Sequence, residues 1–437
     1  MSVSPDNSGA GNIHIHGARL LDPATGKDIG NSNIVVANGV ITQVGEAPLP
    51  DDANARHISA DSLLVIPGLI DCYARLREPG FEKKGTITSE TLAARHAGIT
   101  TLICSPDTDP IIDEPATVEL IKRRSLDAGH AQVLPLAAAT RGLDGELLSE
   151  LATLRDAGCI AATNGDRPIR DLQVLRRVME YAATFNIVLV LSPVDAWLAG
   201  QGIAHEGATA TRLGLESIPV AAETVALSVL IELAWQTGAT IHVSRVTSAR
   251  GTNMIRRAKA DGLRLTADTT INHLWLDDSC LANFDSAYHS VAPFRSSEDR
   301  EALRAGIADG TLDAICSDHS PHEADAKLAP FPSSEPGLSG LDTLLPLLLQ
   351  LDKDTSLELN TLIRCVTANP ARLFGLDQGT LEAGSSADLV LVDPQATFKV
   401  EPARLLSRGR NTAYAGRELC GKVKMSMLGG EVLTPPP

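Results

Sequence analysis

Side chains suited to metal binding, proton transfer and anion binding occur in a few separated segments of this 437-residue chain. Residues 71–80 read DCYARLREPG, residues 317–322 read SDHSPH, and His242 lies between the two segments. Imidazoles and carboxylates serve as metal ligands and proton carriers, and an arginine fork binds a carboxylate through two hydrogen bonds. Groups so far apart in sequence act together only where a fold brings them to one place.

Each of these segments belongs to one of eight short apolar runs that alternate with stretches of helical period, such as 115–129, 171–185 and 223–238. This alternation predicts an α/β fold, a (β/α)8 TIM-type barrel, whose functional residues lie at the C-terminal ends of the strands. The runs cover residues 63–75, 100–106, 131–140, 159–164, 187–193, 240–246, 264–270 and 312–318.

The two chain ends have a different pattern, with short strands and tight turns. Residues 12–58 contain an Asn-Gly turn at 38–39, and residues 387–393 and 422–433 alternate as strands do. Neither end has enough strands to bury a face alone, so we predict one small β-sandwich built from both. The predicted domains are the N-terminal part of the sandwich (1–62), the barrel (63–380) and the C-terminal part (381–437).

The ordered set of LREPG, RLGL (212–215), DHSPH and NPARLFGL (369–376) resembles the dihydroorotase branch of the amidohydrolase superfamily over nearly the whole chain. The resemblance implies the reversible cyclisation of carbamoyl aspartate to dihydroorotate, driven by a hydroxide that bridges two zinc ions. It also implies six ligand positions: His-x-His on strand one, a carboxylate or carboxylated lysine on strand four, single histidines on strands five and six, and an aspartate on strand eight, which also moves the proton.

Compared position by position, the chain lacks most of these ligands. Strand six keeps His242 and strand eight keeps Asp318, so two of the six positions match. Structural and catalytic zinc sites need three or four protein ligands, and an arginine would place a fixed positive charge against a dication. The degenerate positions are Tyr73 and Arg75 on strand one, Asn164 on strand four and Ser192 on strand five. The strand-four position is aligned to within one or two residues.

The substrate side of the resemblance is mixed. Arg77 matches the family's carboxylate-binding arginine, and His322 matches a second carboxylate contact. The family's asparagine after strand two is here Asp107, whose charge would repel a substrate carboxylate. We therefore interpret Arg77, Asp107 and His322 as remnants of a substrate pocket, and Asp318 as a vestigial catalytic group.

Other polar residues admit plainer interpretations. His14 and His16 form an HxH pattern, but they precede the barrel and are expected to be structural. Asp318 is expected either to pair with Arg75 or to share a weakly held metal with His242 and His273. The remaining candidates are expected to be structural or solvated: Arg77 in a local salt bridge, His205 and Glu206 in a loop, and Cys159 and Cys316 as small buried side chains.

Composition narrows the classes of function. The net charge of −16 argues against nucleic acid or an anionic membrane as partner. The seven cysteines are scattered singly, which indicates neither a disulfide framework nor a thiolate zinc site. The polar N-terminus lacks the apolar stretch of a signal peptide, and we see no apolar run of about 18 residues, so we expect a cytoplasmic protein.

The favoured hypothesis is a catalytically inactive dihydroorotase homologue. Bacterial homologues of that kind, which share TINHL-like and SDHSPH-like segments, assemble with the aspartate transcarbamoylase catalytic chain. The resemblance thus implies a stabilising subunit in de novo pyrimidine biosynthesis, itself a homo-oligomer, with no cofactor. The alternative is an active cyclic amidohydrolase with a reduced zinc site. A third possibility, a free-standing interaction protein like the animal dihydropyrimidinase relatives, fits the LREPG and DHSPH segments less well.

Overall fold

The computed structural model describes residues 12–434. The strands in this range are β1 (Ile13–Asp22), β2 (Lys27–Ala37), β3 (Val40–Gly45), β4 (Arg56–Ser59), β5 (Leu64–Pro67), β6 (Leu69–Ala74), β7 (Ile99–Cys104), β8 (Gln132–Ala138), β9 (Ala161–Thr163), β10 (Leu189–Leu191), β11 (Ala204–His205), β12 (Ser217–Ile218), β13 (Ile241–Val243), β14 (Leu265–Thr270), β15 (Ala314–Cys316), β16 (Leu389–Lys399), β17 (Glu418–Leu428) and β18 (Glu431–Leu433).

The α-helices lie mainly between the strands of the barrel. They are α1 (Ile87–His96), α2 (Pro115–Ala128), α3 (Leu151–Ala157), α4 (Leu172–Thr184), α5 (Ala196–Ala199), α6 (Ala208–Leu213), α7 (Val220–Thr237), α8 (Ala249–Ala260), α9 (Ser297–Ala308), α10 (Leu344–Asp354), α11 (Leu359–Arg364) and α12 (Ala368–Phe374).

Eight parallel strands form the barrel and follow the order of the chain, β6 to β10 and then β13 to β15. A parallel bridge between Ala74 and His319 brings the first and last strands together. All residues of β6 and β7 are buried, as expected for parallel strands covered on both faces. The predicted fold class is therefore confirmed, and each of the eight predicted runs overlaps one barrel strand.

The strand predicted over 63–75 is divided at Gly68. The half before it, β5, pairs with β1 and β16 in the other large sheet, and only the half after it, β6, enters the barrel. A Cβ atom at Gly68 would collide with the side chain of Thr100, so a glycine allows the chain to pass closely between the two sheets. The barrel thus begins at Leu69.

The second large sheet takes its strands from both chain ends. Its order is β18-β17-β16-β5-β1-β2-β3, with β4 added beside β1. Residues from these strands, among them Ile15, Ile34, Leu389 and Met427, share one apolar cluster. The other side of β17 packs against α10 and α1 of the barrel, so the sheet and the barrel are joined along a broad contact.

Helix α7 is the one described helix whose length and composition would also suit a membrane span. Its 18 residues have a mean hydropathy of 1.2, and a third of them are buried. The helix includes Glu223 and Glu232, so it is not an uninterrupted apolar run. The helix packs against α4, α5 and α8 in the outer ring of the barrel, and part of its apolar surface remains exposed.

Candidate functional site

A cluster of charged side chains lies at the mouth of the barrel, where the predicted metal-ligand positions were expected. Every member follows the end of a barrel strand by one to three residues. This placement follows from the fold, because residues that leave parallel strands at the same end converge above the barrel. The members are Arg75 after β6, Asp107 after β7, Asp166 after β9, Ser192 after β10, Arg245 after β13 and Asp318 after β15.

Arg75 forms the first half of this ion-pair cluster. Its Nε donates to Asp107 Oδ2 at 2.8 Å, its Nη2 donates to Asp166, and its Nη1 lies 3.5 Å from Asp318 Oδ1. The side chain is only 4% exposed. The predicted pairing of Asp318 with Arg75 is present, and two further carboxylates share the same guanidinium.

Arg245 forms the second half. Its guanidinium contacts Asp318 Oδ1 at 3.1 Å and Asp166 Oδ1 at 2.6 Å, and it donates to the Ser192 hydroxyl. Its guanidinium carbon lies 4.3 Å from the centre of the Tyr73 ring, a cation–π distance. The Tyr73 hydroxyl lies 2.9 Å from Ser105 Oγ. Tyr73 and Ser192, both predicted as degenerate ligand positions, therefore contact a guanidinium.

The cluster sets two guanidiniums against three carboxylates. Although burial favours the neutral acid, Arg245 and Arg75 lower the pKa of Asp166 to about 2. Burial likewise opposes ionisation of Asp107, and Arg75 lowers its pKa. Burial raises the pKa of Asp318, which Arg245 and Arg75 counteract. Asp166 is thus held as an anion between two cations, although its side chain remains 28% exposed.

Three residues at the barrel mouth have left-handed backbone angles that residues with a Cβ atom rarely adopt. The φ angles are 68° at Arg77, 61° at Arg245 and 48° at Asp318. Such a conformation costs on the order of 1–3 kcal/mol per residue and persists only where the surroundings hold it. Here the ion pairs and hydrogen bonds of these side chains fix the geometry.

Arg77 and His322 lie together beside the cluster, as the resemblance implied. Arg77 donates to Ser320 Oγ at 2.7 Å and to the Pro321 carbonyl at 3.2 Å, and it lies 3.1 Å from His322 Nε2. Burial, and then Arg75, lower the pKa of Arg77 to about 10. Burial and the charge of Arg77 lower the pKa of His322 to about 3, so this imidazole is neutral near pH 7.

His242 does not belong to the cluster, although the sequence suggested a retained metal ligand there. It lies in the middle of β13 and is fully buried, with Nδ1 2.9 Å from Thr266 Oγ1 and Nε2 2.8 Å from Asp268 Oδ2. A side chain within a barrel strand points into the packed interior, whereas the mouth is lined from beyond the strand end. Arg245, two residues after β13, takes that place.

Asn164 also lies apart from the cluster. Its amide oxygen accepts from Thr140 Oγ1 at 2.7 Å, and its amide nitrogen donates to the carbonyls of Leu143 and Arg167. These bonds order the loop after β9, and they place Asp166, two residues later, against both arginines. The strand-four alignment was therefore two residues short of the side chain that faces the cluster.

The remaining histidine candidates are engaged elsewhere. His273 lies 2.8 Å from Thr270 Oγ1 and 3.3 Å from the Pro293 carbonyl, and burial lowers its pKa to about 4. His205 lies 3.2 Å from Arg295 Nη1. His14 is buried, and its ring packs edge-on to that of His57 in the terminal sheet. Within residues 12–434, no three or more His, Cys, Asp or Glu side chains are grouped as a metal site requires.

The residues present at the barrel mouth do not fit a dinuclear zinc centre. Zinc prefers imidazole, thiolate and carboxylate ligands, and the cluster offers no imidazole. Its three carboxylates already accept from Arg75 and Arg245, so a dication would have to displace two fixed positive charges. The arginines occupy the electrostatic role that cations would have among these carboxylates.

Sequence reasoning missed Arg245 and Asp166 as members of the site. A usable signal existed for Asp166, which follows the predicted run 159–164 by two residues, but not for Arg245, which lies inside the predicted run 240–246. The family's pattern of metal ligands favoured His242 and the aligned Asn164 instead. The position relative to the strand end was the better guide.

Comparisons with known proteins identify related families and a shared fold. The family model described as "Dihydro-orotase-like" matches residues 62–250, and that described as "Amidohydrolase family" matches residues 338–434. An L-hydantoinase (dihydropyrimidinase) structure from Arthrobacter aurescens superposes with a TM-score of 0.85 at 23% identity, covering 97% of this chain and 96% of that one. At that identity the structural likeness shows the fold alone.

Two relatives cover almost the whole chain. A dihydroorotase-like protein of Pseudomonas aeruginosa strain PAO1 is 44% identical over 96% of this chain and 99% of its own length. A dihydroorotase of Syntrophotalea carbinolica is 39% identical over 96% of this chain and 98% of its own length. The chain therefore belongs to the dihydroorotase-like family of the amidohydrolase superfamily.

Proposed function

We propose that this chain is a catalytically inactive dihydroorotase homologue that serves as a structural subunit of an aspartate transcarbamoylase complex in de novo pyrimidine biosynthesis. The observation that supports inactivity is the pair of guanidiniums, Arg75 and Arg245, bonded to the carboxylates at the barrel mouth. Both arginines are almost fully buried and therefore cannot turn away into solvent without breaking several ion pairs.

The energetic consequence concerns the nucleophile. In this superfamily a bound metal supplies hydroxide at neutral pH, because zinc lowers the pKa of water from about 16 to about 7. That difference corresponds to an upper limit on the order of 12 kcal/mol, at roughly 1.4 kcal/mol per pKa unit. Asp318 cannot replace it as a base, since its Oδ1 atom is shared between Arg75 and Arg245.

The structural role is supported by what the chain retains. The barrel, its helical ring and the sheet built from both chain ends are complete within residues 12–434, so the surfaces that assemble a complex do not depend on a working site. The identity of the partner rests on the resemblance of the sequence to non-catalytic subunits of this kind. Self-association of the chain is part of the same proposal.

The decisive experiment measures three properties of the purified protein. We expect less than one tenth of an equivalent of zinc by elemental analysis, and no cyclisation of carbamoyl aspartate above background. We also expect the aspartate transcarbamoylase catalytic chain of the same organism to co-purify with it and to lose activity or assembly without it. An active dihydroorotase assayed in parallel controls for the buffers and the coupling steps.

Two outcomes would overturn the proposal. Stoichiometric divalent metal together with measurable cyclisation would establish the alternative, an active cyclic amidohydrolase with a reduced zinc site. A transcarbamoylase that assembles and works equally well without this chain would remove the structural role. The relatives named dihydroorotase make the enzymatic assay necessary even if no metal is found.

A further inference from the structure

An exposed apolar patch lies on the outside of the barrel, where α4, α5 and α7 meet. We call it the Trp197 patch, because the Trp197 side chain is 79% exposed at its centre. A large aromatic side chain that exposed is unusual for a surface with no binding role. The other exposed apolar members are Leu172 of α4, Val194 and Leu198 beside or in α5, and Val225 of α7.

The patch borders a hollow with a volume of about 100 Å³, which reaches Asp166 and Ser192 at the barrel mouth. Its apolar lining includes Leu172, Leu175, Val194, Trp197 and Val229. One wall is α7, the apolar helix with only a third of its residues buried. The helix lines the hollow with Ala226, Val229 and Leu230, and Val225, next to Ala226, is 43% exposed.

A basic rim adjoins the patch. Residues 167–177 contain four arginines and one acidic residue, in a chain whose net charge is −16. Arg167 and Arg176 lie near the acidic side chains of residues 144 and 180, whereas Arg170 and Arg177 have no partner among the described ion pairs. The acidic residue, Asp171, accepts from the backbone of Gln173 as the N-cap of α4. Arg170 lies 5.2 Å from the centre of the Trp197 ring, so a guanidinium borders the central aromatic side chain.

We infer that the Trp197 patch is the surface through which this chain binds its protein partner, and that the partner presents an apolar side chain surrounded by acidic residues. Tryptophan and arginine are the residues that most often dominate binding free energy at interfaces, and complementary rims govern partner choice. A second copy related by a two-fold axis would set arginines against arginines. The inference rests on the proposed function, in which the partner is the transcarbamoylase catalytic chain.

The apolar part of the inference is tested with Trp197→Ser and a matched control, Leu126→Ser. Leu126 of α2 is 80% exposed, so the control removes an equally exposed apolar side chain elsewhere. Binding of each variant to the purified transcarbamoylase chain is titrated, and the mass of the mixture is measured by light scattering. We expect Trp197→Ser to weaken binding at least tenfold and Leu126→Ser to leave it within twofold.

The charged part is tested with Arg170→Glu against Arg404→Glu. Arg404 has an 81% exposed side chain and contacts only Glu401 among the described ion pairs, so it matches Arg170 as a surface arginine. We expect Arg170→Glu to weaken binding at least fivefold, with a smaller salt dependence than the unaltered chain shows. Thermal melting of all four variants checks that each is folded.

The outcomes separate this inference from the proposed function. If the unaltered chain fails to bind the transcarbamoylase chain, both are overturned. If the unaltered chain binds and Trp197→Ser binds equally well, only the inference is overturned. If Trp197→Ser instead dissociates a homo-oligomer while partner binding persists, the patch is an interface between copies and the inference is again wrong.

Discussion

Two groups of residues at the barrel mouth differ in how their side chains are held. Arg77 and His322, which follow β6 and β15, contact each other and neutral hydrogen-bond partners. The ion-pair cluster includes Arg75 and Asp318, which follow the same two strands, and Arg245, which follows β13. The first group can be changed without leaving a charge unpaired, whereas removal of one member of the cluster leaves a charge without its partner.

This difference predicts unequal losses of unfolding free energy for two matched substitutions, Arg245→Met and Arg77→Met. Arg245→Met leaves Asp166 and Asp318 with one guanidinium between them, and removal of one partner from a buried ion pair costs about 3–5 kcal/mol. Arg77→Met loses hydrogen bonds to neutral groups only, so we expect about 1 kcal/mol. The free energy of unfolding from urea titrations measures both.

The two variants control for each other, because both arginines have left-handed backbone angles, at φ of 61° and 68°. Any cost of placing methionine in that conformation is therefore common to both. Equal losses of stability would show that the ion pairs of Arg245 contribute no more to stability than the hydrogen bonds of Arg77.

A second, smaller effect concerns pH. The pKa of Asp166 is about 2 in the folded chain, below its ordinary value of 3.8. The ionised carboxylate therefore stabilises the fold above about pH 4, and this contribution is lost as the pH falls towards 2. We expect Asp166→Asn to be 1–2 kcal/mol less stable at pH 7, a range reduced for solvent screening because the side chain is 28% exposed.

The measurement is the difference in unfolding free energy between the unaltered chain and Asp166→Asn from pH 7 to pH 2.5, which should narrow as the pH falls. Asp156→Asn is the matched control, since Asp156 pairs with Arg155 at 2.8 Å on the surface and its difference should not change in this way. A pH-independent difference for Asp166→Asn would mean that the carboxylate's charge does not hold the cluster together.

Much of this arrangement could be predicted from the sequence. The eight apolar runs located the barrel strands, and the resemblance singled out Asp107, directly after the run 100–106, and Asp318, the last residue of the run 312–318. The misplacement of His242 has a physical cause, because periodicity alone does not say where a strand stops and the barrel mouth begins. His242 within β13 and Arg245 after it lie in different environments, yet both fall within the same predicted run, 240–246.

The partnership between Arg245 and Asp166 could not have been predicted from one sequence. It joins residues 79 positions apart, and the left-handed residue in the loop after β13 is Arg245 itself and not a glycine. Local propensity assigns such angles to glycine or asparagine, and tertiary ion pairs override it here.

The smallest expected effect concerns Tyr73, at a position where the resemblance implied a histidine ligand. Tyr73→Phe removes the hydroxyl that lies 2.9 Å from Ser105 Oγ but keeps the ring beneath Arg245. We expect a loss of about 1 kcal/mol, the usual contribution of one buried hydrogen bond. Tyr73→His, which restores a ligand type, should still bind no zinc in an equilibrium dialysis measurement, because both guanidiniums remain. Zinc bound by this single variant would show that the missing histidine, and not the arginine pair, had prevented metal binding. The two arginines would then not be what excludes a metal from the barrel mouth.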